Sequence, residues 1–490
     1  MSPAERNRLL VIAPVLGGML MLFSVTFVLP LAWSLAVDDG THVSFFLSGV
    51  GCLVAGGLLW GATRRFRREL EPRDGCLLAV LGWLLMSVAG AAPLMLEIPG
   101  LSFSHAYFEA IAGLTTTGAT MLSGLERLPQ SINVWRHAMQ WYGGMGIIVL
   151  AVAVLPILGV GGMQLFKAEM PGPMKESKLT PRITQTAKAL WLIYTGMTAA
   201  CIACLHWAGM DWFEAVCHAF SAMALGGFST HDGSIESFQS PRIEAVLGAF
   251  MLMAVLNFST HFVAIRQRSL RVYLRDAEAP SVLMLILGSS LALGTYLYAV
   301  GRYPSFGEAL RYAAFNTISV STSTGYMSQD YAAWPMFVPM WMLFLACVGS
   351  SAGSTGGGIK MIRALILLKQ AGRELHRLVP PRAIAPLTVN GHGIENRIIF
   401  AVLGYMLLWG FTQLALTLVM LAGGLDFMSA FSAVVASVNN LGPALGEFGP
   451  THNYASLSTF QTWLLAIAML AGRLELLTFF VILTPAFWRR

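Results

Sequence analysis

Charge is scarce in this chain. Only 11% of its 490 residues are Asp, Glu, Lys or Arg, where a soluble globular protein carries about a quarter. That shortage excludes a soluble enzyme or a solvated binding module of ordinary composition. Catalytic signatures are missing too. No G-x-x-x-x-G-K-[ST] occurs: "GSTGGGIKM" lacks a Ser or Thr after its lysine and follows no strand. There is no H-E-x-x-H and no clustered pair of carboxylates inside an apolar segment, so the chain is not expected to be an enzyme or to hydrolyse ATP. Cysteine is sparse, and Cys201 and Cys204 form a CxxC with no second ligand pair. It reads as filler of a spanning helix rather than a redox or zinc centre. The net charge of +6 is divided among short loops, so nucleic acid is not an expected partner.

What the chain has instead is apolar length. Hydrophobic residues make up 56% of it, and apolar runs longer than about 18 residues recur from end to end, the pattern of a polytopic helical membrane protein. The first run, 9–36, is too long for a signal-peptide core and no small-residue cleavage site follows it, so it reads as a retained transmembrane helix. Basic residues gather in alternate connections: Arg6 and Arg8, then Arg64 to Arg73, 167–182, 266–275, 369–382, and the closing Arg489 and Arg490. By the positive-inside rule both termini and every basic connector are cytoplasmic, which requires an even number of crossings.

Four short segments share one layout, an apolar stretch too short to span followed by a turn rich in Thr, Ser and Gly. They read "FEAIAGLTTTGAT" (108–120), "CHAFSAMALGGFST" (217–230), "FNTISVSTSTGYM" (315–327) and "SAVVASVNNLGPALG" (432–446). Registered on one glycine each, they align Gly118, Gly227, Gly325 and Gly442, which are 109, 98 and 117 residues apart. An apolar span precedes each segment (74–99, 186–209, 279–301, 394–423) and another follows it (134–158, 243–266, 335–369, 457–485). The expected fold is an all-α polytopic membrane protein of ten transmembrane helices. Two extra helices (9–36 and 44–62) precede four pseudo-symmetric repeats of helix M1, pore loop and helix M2 around one pore. Along the chain the division is 1–73 for the extra helices, then 74–183, 184–278, 279–392 and 393–490 for repeats 1 to 4.

Irregular backbone at membrane depth persists only where protein buries it or water reaches it. Four such turns on one axis present rings of carbonyls that can replace the hydration shell of a monovalent cation. Glycine at the shared position admits positive φ and turns carbonyls inward. Each half-helix also aims the negative end of its dipole at the ion. A single "TTTGAT" reads equally well as helix packing or a plain loop; four in register, each between two spans, do not.

One M2 span is interrupted. "CVGSSAGSTGGGIKMIR" places Gly349, Gly353, Gly356, Gly357 and Gly358 within ten residues. The run reads as a loop over 349–358 that leaves the helix, offers its hydroxyls to a wet cavity and hangs across the permeation path; the alternative is a packing kink. The other M2 segments have no comparable run, so one quadrant alone is expected to carry a break. Arg473 lies deep in the last helix, where a charge is costly and faces a pore, a gate or backbone carbonyls. Glu475, two residues on, points to a different face. Lys360 either snorkels to the cytoplasmic interface or joins the gate. Asp232, Glu236, Asp330 and Glu447 follow the turns on the outer side, as a cation-attracting vestibule or as solvated loop charges. The Pro-broken stretches 167–182 and 373–393 are docking surfaces for a regulator or simple connectors.

The motifs "LTTTGAT", "LGGFSTHD", "STSTGYM" and "NNLGPALGEFG", with "GSTGGGIK" and "AGRLELLTFF", resemble the TrkH branch of the Trk/Ktr/HKT superfamily of potassium transporters. The resemblance covers essentially the whole chain. It implies potassium uptake across the bacterial inner membrane, a homodimer in lipid, and a cytoplasmic TrkA-type ring of nucleotide-binding subunits that controls opening. No cofactor is implied, only K+ as the transported ion. The filter residues are then Thr116, Thr117 and Gly118; Leu225, Gly226 and Gly227; Thr324 and Gly325; and Asn440, Leu441 and Gly442. K+ would sit at Thr117, Gly118, Gly226, Gly227, Thr324, Gly325, Leu441 and Gly442. The gate would comprise Gly349, Gly353, Gly356, Gly357, Gly358, Lys360 and Arg473. Two departures stand out: Leu225 occupies a position where the family more often has a hydroxyl residue, and the fourth turn reads Asn439-Asn440-Leu441-Gly442-Pro443. A short filter of modest potassium-over-sodium selectivity is expected. The competing reading is a secondary transporter coupled to proton or sodium symport, which the parallel fourfold repeat disfavours.

Overall fold

In lipid, a spanning segment has to pair its backbone N–H and C=O groups internally, and helix is the form that does so alone. The computed structural model describes residues 3–66, 71–149, 183–378, 386–389 and 392–488. Among these, six helices have the length and apolarity to cross a bilayer: Arg8–Val37, His42–Thr63, Arg73–Glu97, Lys188–Ala208, Ala279–Ala299 and Asn396–Ala422. They are the two extra helices and the four M1 helices read from the sequence. A 3₁₀ turn, Val25–Phe27, interrupts only the first of them.

A shorter helix follows each M1: Phe103–Leu114, Trp212–Ala224, Phe306–Ser321 and Phe427–Val438. At about 1.5 Å per residue none is long enough to span. Each starts from a side-chain cap. Ser102, Asp211, Ser305 and Asp426 accept the backbone N–H three residues ahead, which satisfies one of the free donors of the first turn.

The M2 segments depart from the sequence reading. A break was expected in repeat 3 alone, but three M2 segments are broken. In repeat 2, Pro241–Ala254 and Phe258–Gln267 meet at 94°. No glycine causes this bend; Asn257 caps the second helix, its side chain accepting from Ser259 N–H. In repeat 3, Phe337–Val348 and Met361–Arg377 flank the expected loop, which runs two residues further, to Lys360. In repeat 4, Thr459–Arg473 stops before two left-handed residues, Glu475 and Leu476 (φ +58° and +39°). In repeat 1, M2 is described from Gln130 to Val149; the rest of it and the connector 167–182 lie outside the described residues. Of the ten expected crossings, six among the described residues have the length and apolarity of a span, or seven if the bent pair of repeat 2 counts as one. The stretch 373–393, described in part, includes a two-residue antiparallel pairing of Thr388–Val389 with His392–Gly393.

The extra helices are locked to repeat 1. Trp135, fully buried on its M2, stacks on Phe27 at 4.5 Å and meets Phe23 and Phe45 edge-on or tilted. Its indole N–H donates to Gly90 O of M1 at 2.9 Å. In the connection between the two extra helices, the Asp39 carboxylate accepts from the Ser34 and Thr41 hydroxyls and from Ser131 N–H. Partial burial opposes its charge, but these bonds hold its pKa down to about 2. Trp135→Ala removes one ring from three neighbours and is expected to cost roughly 3 kcal/mol, read as a lowered melting temperature in detergent; an unchanged melt would show that the extra helices are held elsewhere.

Candidate functional site

The four short helices end alike. Thr116, Leu225, Ser323 and Asn440, each two residues before a registered glycine, are left-handed with φ between +53° and +59°. Their N–H groups bond back three residues, to the carbonyls of Gly113, Ala222, Val320 and Ser437. The next N–H, of Thr117, Gly226, Thr324 and Leu441, reaches back five, to Ala112, Ser221, Ser319 and Ala436, at 2.8–2.9 Å. This is a Schellman cap made four times. Left-handed backbone at a non-glycine residue costs about 1 kcal/mol or more. Ser323 was missed in the sequence reading, and its registration two residues before Gly325 was the signal available for it. Leu225 keeps the same backbone as its hydroxyl counterparts, with its side chain in the core of repeat 2.

Next come the glycines. Gly118, Gly227 and Gly325 take φ of +79°, +78° and +90°. Gly442, expected to share this conformation, is not among the positive-φ residues, because Pro443 follows it and its ring biases the preceding residue toward extended backbone. A Cβ added to Gly118 would run into Gly226 O, and one on Gly227 into Thr324 O. One on Gly325 would lie 2.5 Å from Pro443 Cδ, and one on Gly442 2.7 Å from Gly118 O. Turn 1 touches turn 2, turn 2 touches turn 3, turn 3 touches turn 4 and turn 4 touches turn 1: the ring closes. Asn440 Nδ2 donates to Thr117 Oγ1 across the last seam at 3.0 Å. Two of the expected ion-ligating carbonyls also accept lateral hydrogen bonds, Gly226 O from Gln140 Nε2 (2.8 Å) and Gly442 O from the Tyr454 hydroxyl (2.9 Å). Hydroxyl pairs brace alternate turns: Thr115 with Thr117, and Thr322 with Thr324, both at 2.8 Å.

Behind the ring, one polar side chain of each short helix holds its own outgoing strand. Glu109 accepts from Thr120 Oγ1 and Met121 N–H, His218 meets Ser229 Oγ, Asn316 holds Ser328, and Ser432 accepts Leu445 N–H. Glu109 is paired at 2.8 Å with Arg136, whose guanidinium lies over the Phe228 ring. Above the ring opens a cavity of about 870 Å³ lined by residues that include Thr120, Ser123, Asp232, Glu447 and Asn453. Asp232 accepts from Gly124 and Leu125 N–H, tying the loop after the turn of repeat 2 to that of repeat 1. His231 makes the same tie, facing Glu214 at 3.1 Å and Glu126 at 3.5 Å.

Below the ring lies the loop of repeat 3. Ser323 Oγ accepts Gly357 N–H at 2.9 Å, and Thr355 Oγ1 donates to Met223 O at 3.1 Å. A Cβ on Gly357 would strike Asn439 O. The loop therefore touches the ends of the second, third and fourth short helices. Its other side is bound to the break in repeat 2, through Ser351 N–H to Val255 O and Phe258 N–H to Gly353 O. The carbonyls of Leu114, Ser321 and Val438, each four residues before a registered glycine, pack on an M2 glycine: Gly143, Gly349 and Gly472. Met223 O, their counterpart in repeat 2, is the one bonded by Thr355.

Arg473 is 2% exposed and donates to Thr355 O at 2.9 Å and to Gly143 O at 3.2 Å, so it anchors the loop from repeat 4. Glu475 pairs instead with Arg363 at 2.7 Å. Lys360 is 6% exposed and donates to Gly356 O within the loop, which overturns the snorkelling alternative.

Gly227→Ala is expected to reduce cation uptake at least about tenfold, because its Cβ would meet backbone that cannot yield. Gly57→Ala, at a position open to within 4 Å, is the control; equal uptake by both would break the link between ring geometry and transport. The outer tie makes a pH prediction. The Glu214 bond, outweighing partial burial and helped by Glu126, raises the His231 pKa above its ordinary 6.5. A raised pKa stabilises fully below the unfolded value and loses its effect as pH rises through the folded one. Wild type should therefore melt above His231→Gln near pH 6 and converge with it near pH 9; a constant offset would count against the tie.

These features have counterparts among known proteins. A family described as TrkH, cation transport protein, matches residues 41–489. The Trk system potassium uptake protein TrkH of Salmonella typhimurium is 44% identical over 479 residues, 98% of this chain and 99% of that protein. Its relative TrkG of Escherichia coli is 36% identical over 480 residues, 98% of each. The crystal structure of the potassium transporter TrkH from Vibrio parahaemolyticus superposes with a TM-score of 0.90 at 41% identity, over 98% of this chain and 99% of that one. All of these are named as transport proteins, a transporter family rather than an enzyme. Matched over almost its full length by family, by relatives and by fold, the chain belongs to the TrkH family of cation transport proteins.

Proposed function

We propose that this chain takes up potassium across the bacterial inner membrane as a channel-like pore. The closed ring of four capped turns carries this reading. Carbonyls of Thr117, Gly118, Gly227, Thr324, Gly325 and Leu441 would supply the main ion contacts. Gly226 and Gly442 would contribute less, because their carbonyls already accept from Gln140 and Tyr454. Relatives named as Trk system potassium uptake proteins support the choice of ion. Several buried polar atoms near the ring and loop find no partner among the described residues, among them the hydroxyls of Ser319, Ser321, Ser351 and Ser437 and the amide oxygens of Asn439 and Asn440. Polar groups at that depth need water or ions as partners, as a wet path provides.

The loop 349–360 is the gate on this reading. It crosses beneath three of the four turns, and the Arg473 guanidinium places a positive charge under a cation ring. Opening requires the loop to swing away and Arg473 to release Thr355 O. Both termini lie in the cytoplasm, and the chain works as a homodimer with a TrkA-type nucleotide-binding ring docked on its basic cytoplasmic connectors. The five-part division of the chain given above holds in this reading.

Rubidium flux into proteoliposomes tests it. Flux should follow an imposed membrane potential without cotransported protons, and Arg473→Ala should raise basal flux severalfold without the partner. Unchanged flux in Arg473→Ala would remove it from the gate, and flux that needs a proton or sodium gradient would replace the channel with a symporter.

A further inference from the structure

Glu278 opens the M1 helix of repeat 3, at its N-cap, yet its carboxylate does not cap that helix. Asp276 takes that work, its Oδ1 accepting both Glu278 N–H and Ala279 N–H. The Glu278 side chain, 2% exposed, turns away toward the loop. One oxygen, Oε2, accepts Ala352 N–H at 3.0 Å and Ile362 N–H at 3.1 Å. These two donors stand near the start of the loop and just beyond its end, so one carboxylate oxygen cinches its base. The loop is otherwise held from above, by Ser323, Met223 and Arg473, and from the side by the break in repeat 2.

The Glu278 backbone is also tied, through Asp276, to the basic connector that precedes it. Asp276 Oδ2 accepts Thr260 Oγ1 at 2.6 Å, from the second half of M2 in repeat 2. Between Thr260 and Asp276 runs the connector that carries Arg266, Arg268, Arg271 and Arg275, with Leu270 and Leu274 about four-fifths exposed. Hydrogen bonds to a carboxylate are about twice as strong as neutral ones, and stronger still in a dry surrounding.

We propose that Glu278 is the latch of the intramembrane loop: it holds the loop's base shut through Ala352 and Ile362, and displacement of the 266–276 connector releases it. The inference rests on the reading of that loop as a gate. Glu278 is a positioning residue, which acts through the loop and touches no ion.

Hydrogen–deuterium exchange on the full-length protein in detergent, with rubidium flux on the same samples, tests this. In Glu278→Ala, amides of loop peptides spanning 349–362 should exchange roughly tenfold faster, while peptides of the four turns stay unchanged and basal flux rises. Glu278→Gln keeps an acceptor oxygen in place without the charge and should restore most of the protection. If Glu278→Ala fails to fold, Thr260→Val cuts the tie to the connector without touching the loop and should speed the same amides to a smaller degree. Wild-type exchange at 349–362 in the folded variants would overturn the latch, whatever the flux. Faster exchange with wild-type flux would leave the latch standing and overturn the gate instead.

Discussion

A buried peptide group must find a partner, and hydrocarbon offers none. The rest of this structure follows from that constraint applied at four points where the chain stops being a helix in the middle of a membrane. Each short helix could have left its last carbonyls and the following N–H groups stranded. The Schellman caps recover the donors. Closing the ring then packs the turns against one another, buried away from lipid. Strained left-handed residues, glycines that admit no Cβ and the polar clamps behind each turn all serve that closure.

The ring is less symmetric than four similar motifs suggest. Turns 1 and 3 carry Thr–Thr hydroxyl pairs, while turns 2 and 4 have Ala224 and Gly226, or Asn439 and Leu441, at the same places. Turn 4 alone has a proline after its glycine. The supports differ as well: an ion pair at Glu109, a histidine at His218, an amide at Asn316 and a hydroxyl at Ser432. The caps are fourfold, but the fourth glycine departs from the shared conformation and only the hydroxyl pairs alternate in a twofold way.

Much of this was legible in the sequence, and the reason is periodic spacing. Continuous apolar runs give spans directly, and the registered glycines located every turn because helix length is set by membrane thickness. The 349–358 run announced its own loop, since five glycines cannot be held in a helix cheaply. What escaped depended on single polar residues acting at a distance. Asn257 bends repeat 2 without a glycine or proline, by capping the helix that follows it. Ser323 joins its register only when backbone angles are seen. The roles of Gln140, Tyr454 and Glu278 rest on contacts to residues 86, 12 and 74 or more positions away. No local pattern encodes such pairings.

Three of the four short helices rest their final turn on a glycine of their own M2, a contact made by fixed backbone. The second rests on Thr355, a side chain borrowed from a different repeat. A loop that swings aside beyond Gly349, whose N–H stays bonded to Leu345 O of the helix before it, therefore takes with it one leg of a four-legged support. On the proposed reading of the loop as a gate and of the ring as a cation filter, the ring of an open molecule would stand on three legs, with the quadrant built around Leu225 free to sag, so conduction and ion discrimination would share a single mechanical part.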